Sequence, residues 1–123
     1  MTESLASKKC VPCEGGVEPL RQEMIDEYLR QVPGWKVKEI SWQDKKVKSL
    51  LNSYKFKNFR QAMAFLREVE QIAEAEGHHP DFCVHYSLVE FTIWTHAIGG
   101  LHENDFIIAK KIGDAFNKAD NQA

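Results

Sequence analysis

Asn58 to Gly77, NFRQAMAFLREVEQIAEAEG, decides the fold. Asn58 can cap a helix, and Gln61 stands where a capping-box partner belongs. Phe59, Ala62, Met63, Leu66, Val69 and Ala73 then recur near the helical period until Gly77 offers a left-handed stop. A long helix with one apolar stripe needs one surface to lie on, which predicts a sheet beneath it.

Working back toward the N-terminus, KVKSLLNSYKF, Lys46 to Phe56, reads as a half-buried strand with Lys48, Leu50, Asn52, Tyr54 and Phe56 on one parity. Gln43-Asp44-Lys45-Lys46 is a turn candidate, and Trp35 to Ile40 alternates as a strand whose parity shifts if it runs on to Trp42. Pro33-Gly34 ends a short first helix after Pro19, with Leu20, Met24, Ile25, Tyr28 and Leu29 as its stripe. Working forward, Val84 to His96 has the strongest strand character, with Val89, Phe91 and Ile93 opposed to Glu90, Thr92, Trp94 and His96. Its length allows one strand or two around a bend. Gly99-Gly100 interrupts it, and DFIIAKKIGDAF supplies a closing helix with Phe106, Ile108 or Ala109, Ile112 and Phe116 inward and Gly113 weakening its middle.

Short connections between paired strands favour antiparallel pairing. The expectation is therefore an α+β single domain, an antiparallel sheet covered on one face by helices. Its bounds are set at residues 19–118, with a flexible N-terminal arm over 1–18 and a C-terminal tail over 119–123.

Composition limits the function classes. With 123 residues, 43% apolar and 28% charged, the chain can bury a core without a staple. No run approaches a membrane span, and MTESLASKKC lacks the apolar core of a secretory signal, so a cytoplasmic, membrane-free protein is expected. A net charge of −2 gives no global pull on nucleic acid. Of the 16 Lys and Arg, 8 lie between Lys36 and Arg60, which keeps a binding module in view, but no compact nucleic-acid motif accompanies them and a charge run is ordinarily a solvated face. Cys10 and Cys13 form a lone CVPC, and Cys83 is the third cysteine. One CxxC falls short of a four-ligand zinc site, and reduced thiols in the arm are the simpler reading.

Of the five histidines, His78 and His79 leave the long helix and His96 ends the late strand. A short loop can bring the three to one rim of the sheet; His85 and His102 are poorer candidates. Neighbouring side chains diverge, which weakens a zinc reading, whereas imidazole suits proton transfer near neutral pH because one ring can accept while another donates. Asp105 and Glu74 are acids able to orient such rings, and Trp94 shares a strand face with His96.

EGHHPDF, followed by Tyr86, then VEFTIWTHAIGGL from Val89 to Leu101 and Asp105 at the last helix, resembles the pterin-4a-carbinolamine dehydratase family. YKFKNFRQAMAFLREV fits it as well, and the likeness runs from about Leu20 through Phe116. The resemblance implies dehydration of 4a-hydroxytetrahydrobiopterin, or a related 4a-hydroxytetrahydropterin, to quinonoid dihydropterin and water, with no metal and no redox cofactor. It implies His78 and His96 as acid/base groups, His79 as a pterin-holding ring that shares proton transfer, Asp105 as the acid supporting His96, and Glu74 as the acid near the substrate. Pro80, Trp94 and Thr95 complete the implied substrate contacts. It further implies a homodimer or homotetramer, and pterin recycling beside an aromatic amino-acid hydroxylase. The alternative is a non-catalytic regulatory protein that binds a hydroxylase or transcription factor.

Overall fold

The computed structural model describes residues 5–10 and 18–121. In chain order the elements are α1 (Gln22–Leu29), β1 (Lys36–Trp42), β2 (Lys45–Lys55), α2 (Phe59–Glu76), β3 (Asp81–His85), β4 (Leu88–Ile93) and α3 (Glu103–Asn121). The strands form one antiparallel sheet in the order β1-β2-β4-β3. The expected α+β class holds, and the late extended run resolves into two strands hinged at Tyr86-Ser87, where Tyr86 takes a φ of 56°.

Local chemistry accounts for the element ends. Asn58 Oδ1 accepts the Gln61 N–H at 2.9 Å, and Gly77 stops α2 at a φ of 67°. Trp42 pairs directly with Lys45, so the first hairpin turns on only Gln43 and Asp44, both at positive φ, as a two-residue loop between right-twisted strands requires. Lys45 and Lys46, expected in the turn, belong to β2.

The core lies between the helices and one sheet face. Leu50, Tyr54, Val89, Phe91 and Ile93 point into it, met by Ile25 and Tyr28 of α1, Phe65 and Val69 of α2, and Phe106 and Ile112 of α3. The expected α2 stripe holds at Ala62, Leu66, Val69 and Ala73 and differs in its first two turns. Phe59 and Met63 are exposed, and Phe65 is buried against Tyr54, Phe56, Phe91 and Phe116. Aromatic packing on that side, tilted against Tyr54 and Phe56 and edge-on with Phe91 and Phe116, favours Phe65 over Phe59 and Met63. In α3, Phe106 through Ala109 are all buried, so its first half is enclosed rather than laid on one face. The helix runs to Asn121, into the segment expected as a tail.

Residues 5–10, within the arm expected to be flexible, lie against the body. Leu5 is fully buried, Lys8 pairs with Glu103 at 3.0 Å, and the Cys10 N–H donates to Glu76 at 2.8 Å. Among the described residues no helix is long and apolar enough to cross a membrane.

Candidate active site

Three elements end at one rim of the sheet. α2 stops at Gly77 and the chain enters His78-His79-Pro80 before β3. β4 passes through Trp94 and Thr95 into a 3-10 turn, His96–Ile98, closed by Gly99 at a φ of 66°. α3 begins at Glu103 and carries Asp105 in its first turn. Between these ends lies an open cleft of about 260 Å³, lined by His78, His79 and His96 together with Trp94, Thr95, Asp81 and Gly77.

Asp105 organises the rear of this cleft. Its side chain is fully buried, and three polar groups meet its oxygens: Oδ1 lies 2.7 Å from His78 Nε2, and Oδ2 accepts from Thr95 Oγ1 at 2.9 Å and from the His102 N–H at 2.8 Å. The Asn104 N–H donates in turn to His102 Nδ1 at 3.0 Å. The Asp105 carboxylate thus takes the His102 N–H while the His102 ring takes the Asn104 N–H, a variant of the capping box in which the ring bonds one residue earlier. Capping fixes the carboxyl, and its remaining oxygen fixes an imidazole. With Oδ1 as acceptor, Nε2 carries the proton of a neutral ring and Nδ1 is its acceptor.

The other two rings are held differently. His79 Nε2 lies 2.5 Å from Glu74 Oε2, and both side chains are largely exposed. His96 stacks on Trp94 with centroids 3.9 Å apart and ring planes 30° from parallel; Trp42 stands edge-on to Trp94 at 5.0 Å and 5.7 Å from the His96 ring. One ring is therefore hydrogen-bonded in the interior, one is tethered at the surface, and one lies flat on an indole.

The sequence placed His78, His79, His96, Trp94 and Thr95 at this cleft, and all five line it. Asp105 sits behind the lining and bonds His78; the pairing expected for it with His96 is not made, because His96 turns away into the 3-10 turn to lie on Trp94. Glu74 reaches the site only through His79, and Pro80 does not line the cleft. His85 lies 3.7 Å from Glu90 on the helix-free sheet face. Two residues were missed. Asp81 faces the cleft from the first position of β3, opposite Thr92, a placement that strand parity could have shown. Trp42 comes from a hairpin distant in sequence, and only its break of alternation hinted at a special role.

The surroundings of the Cys10 thiol oppose its ionisation: burial first, then the Glu76 carboxylate, pushes it up to about 12. Its Sγ lies 3.7 Å from the Asn104 carbonyl, to which it donates. Cys13, the other half of CVPC, lies outside the described residues. Among the described residues no group of three or more His, Cys, Asp or Glu is arranged to hold a metal ion.

A family model described as pterin 4 alpha carbinolamine dehydratase matches residues 18–115, which spans the sheet, α1, α2, the first two-thirds of α3 and the whole cleft. The chain belongs to the pterin 4 alpha carbinolamine dehydratase family. Among similar members, one from Rubrobacter xylanophilus is 44% identical over 108 residues, covering 88% of this chain and 94% of that protein. One from Halorhodospira halophila is 44% identical over 109 residues, covering 89% and 94%. Both bear the name "Putative pterin-4-alpha-carbinolamine dehydratase". The crystal structure of a transcriptional coactivator/pterin dehydratase from Brucella melitensis superposes with a TM-score of 0.69 at 28% identity, covering 80% of this chain and 99% of that one. In this family member, the histidine cleft and the buried Asp105 both fall inside the matched region.

Proposed function

We propose that this protein dehydrates a 4a-hydroxytetrahydropterin, with His78, His96 and His79 moving the protons. The observation that carries the reading is that His78, locked by the buried Asp105, and His96, laid on Trp94, open onto the same cleft. In the reaction the C4a–O bond breaks as the lone pair of a ring nitrogen forms a C=N bond. A protonated imidazole gives its proton to the departing hydroxyl, which leaves as water, and a neutral imidazole takes the ring N–H proton. No electrons leave the pterin, and the two protons balance within the site. Asp105 holds the His78 tautomer through Nε2, and Thr95 holds Asp105. Glu74 orients His79, which contacts the pterin at the mouth of the cleft. Trp94 fixes the plane of His96, and the enzyme's gain comes from orientation together with paired proton transfer.

The reading implies pterin recycling in the cytoplasm beside an aromatic amino-acid hydroxylase, by a homodimer or homotetramer. A second reading, regulation of a protein partner, draws support from the words transcriptional coactivator in the name of the Brucella structure. Rapid ultraviolet measurement on enzymatically generated 4a-hydroxytetrahydropterin separates the two. The dehydratase reading expects breakdown well above the spontaneous rate and unchanged by chelator. A folded protein that never exceeds the spontaneous rate, with biopterin-like or simpler side chains, leaves the regulatory reading in its place.

A further inference from the structure

A second hollow, larger than the histidine cleft, lies away from the histidines. Between the start of α2 and the end of α3 is a groove of about 820 Å³. Phe56 and Phe116, each half-buried, form its floor over the buried Phe65, the three ring centroids 5.1 to 5.9 Å apart. Ala64 and Ala115 belong to its lining and leave it wide. From Gln61, beside the groove, to Gly77, beside the cleft, α2 rises about 24 Å, so the two sites are separate.

The groove's charge is one-sided. Lys55, Lys57 and Lys118 line it against a single acid, Glu68. All three lysines are exposed, and the lysine ion pairs among the described residues use Lys8, Lys110 and Lys111 instead. An apolar floor favours a ligand body that displaces water from phenylalanine, and an unpaired cationic rim favours an anionic head. A neutral ligand gains only the first contribution, and a cationic one meets repulsion. The volume falls in the range of small-molecule sites.

We propose that this groove binds an amphipathic organic carboxylate, its aliphatic or aromatic body on Phe56 and Phe116 and its head among Lys55, Lys57 and Lys118. Binding here is independent of the histidine chemistry.

Calorimetric titration with decanoate, below its micelle concentration and at low ionic strength, tests the proposal, with decyltrimethylammonium as the cation of matching chain length. One decanoate per chain is expected to bind, at least about tenfold tighter than the cation. Lys57→Glu/Lys118→Glu should weaken decanoate by about tenfold or more, and added salt should weaken it too. Ala64→Trp, on an exposed helix position, should block binding by filling the groove, with thermal unfolding reporting that the variant is folded. Equal affinity for anion and cation overturns the proposal, as does binding indifferent to both variants or no saturable binding. Loss of a self-associated state on Ala64→Trp, with no decanoate bound by the parent, also overturns it and makes the groove a contact between copies of this chain.

Discussion

Asp105 shows how one side chain can serve the fold and the chemistry together. Its Oδ2 closes the start of α3 and takes the Thr95 hydroxyl, and its Oδ1 holds His78. A fully buried carboxyl that loses one donor keeps its desolvation cost without the compensating bond, about 1–3 kcal/mol. Thr95→Ala should therefore lower stability by that amount and lower the dehydration rate more than pterin-analogue affinity, because the His78 support slackens. Thr95→Ser should recover most of both; a rate unchanged in Thr95→Ala would remove Thr95 from the positioning role. Gly113 offers the opposite case. A Cβ there would lie 3.6 Å from Tyr54 Oη and 4.0 Å from Trp35 Nε1, ordinary contact distances, and the residue sits inside α3. Gly113→Ala should stabilise by roughly 0.5–1 kcal/mol, read as a higher melting temperature, with activity unchanged.

At the scale of elements, residues 5–10 tie down the two helix ends that frame the cleft. Glu103, at the start of α3, accepts from Lys8 and from Tyr28 Oη at 2.6 Å; Glu76, at the end of α2, accepts from the Cys10 N–H and from Lys111 at 2.9 Å. Burial pushes both carboxyls upward, but these donors outweigh it and hold them below their ordinary 4.5. The unfolded chain therefore takes up protons at these positions before the folded one does. Their contribution is fully present above about pH 4.5 and is lost as pH falls from there through the lower folded values. Glu76→Gln/Glu103→Gln should be less stable than the parent at neutral pH and should show a shallower loss on acidification. Denaturant midpoints measured across the acid range check this, and identical pH slopes in parent and variant would contradict it. The sequence did not show this strap, because polar residues such as Lys8 and the backbone of Cys10 carry no periodicity; their partners lie far along the chain. Helix ends were legible where the signal is local, as at Asn58 and Gly77. The side of α2 that packs was less so, since Phe59, Met63 and Phe65 are equally apolar and only the aromatic neighbours from β2, β4 and α3 select Phe65.

For the whole molecule, the sheet does two jobs. Its helix-covered face holds the core, and one rim gathers the end of α2, the end of β4 and the start of α3 into the cleft. Strand parity and the His-His-Pro and Thr-His sequences made the three histidines legible as a group. The partner of Asp105 was not, because His78 and His96 both stand within a turn of the rim and only the capping of α3 decides which way the carboxyl points. Trp42 escaped for a related reason: cross-sheet neighbours depend on register, which no single strand encodes. The central claim is that His78 and His96 together move the protons of dehydration. The most direct measurement compares single-turnover dehydration by the parent, by each single alanine variant and by His78→Ala/His96→Ala, with affinity for a non-reacting pterin and thermal unfolding measured on each. Each single substitution should lower the rate by about 100-fold or somewhat less, given spontaneous dehydration and the neighbouring rings, and the double variant should lose more while still folding and binding the analogue. Near-parent turnover in a folded double variant would contradict the account.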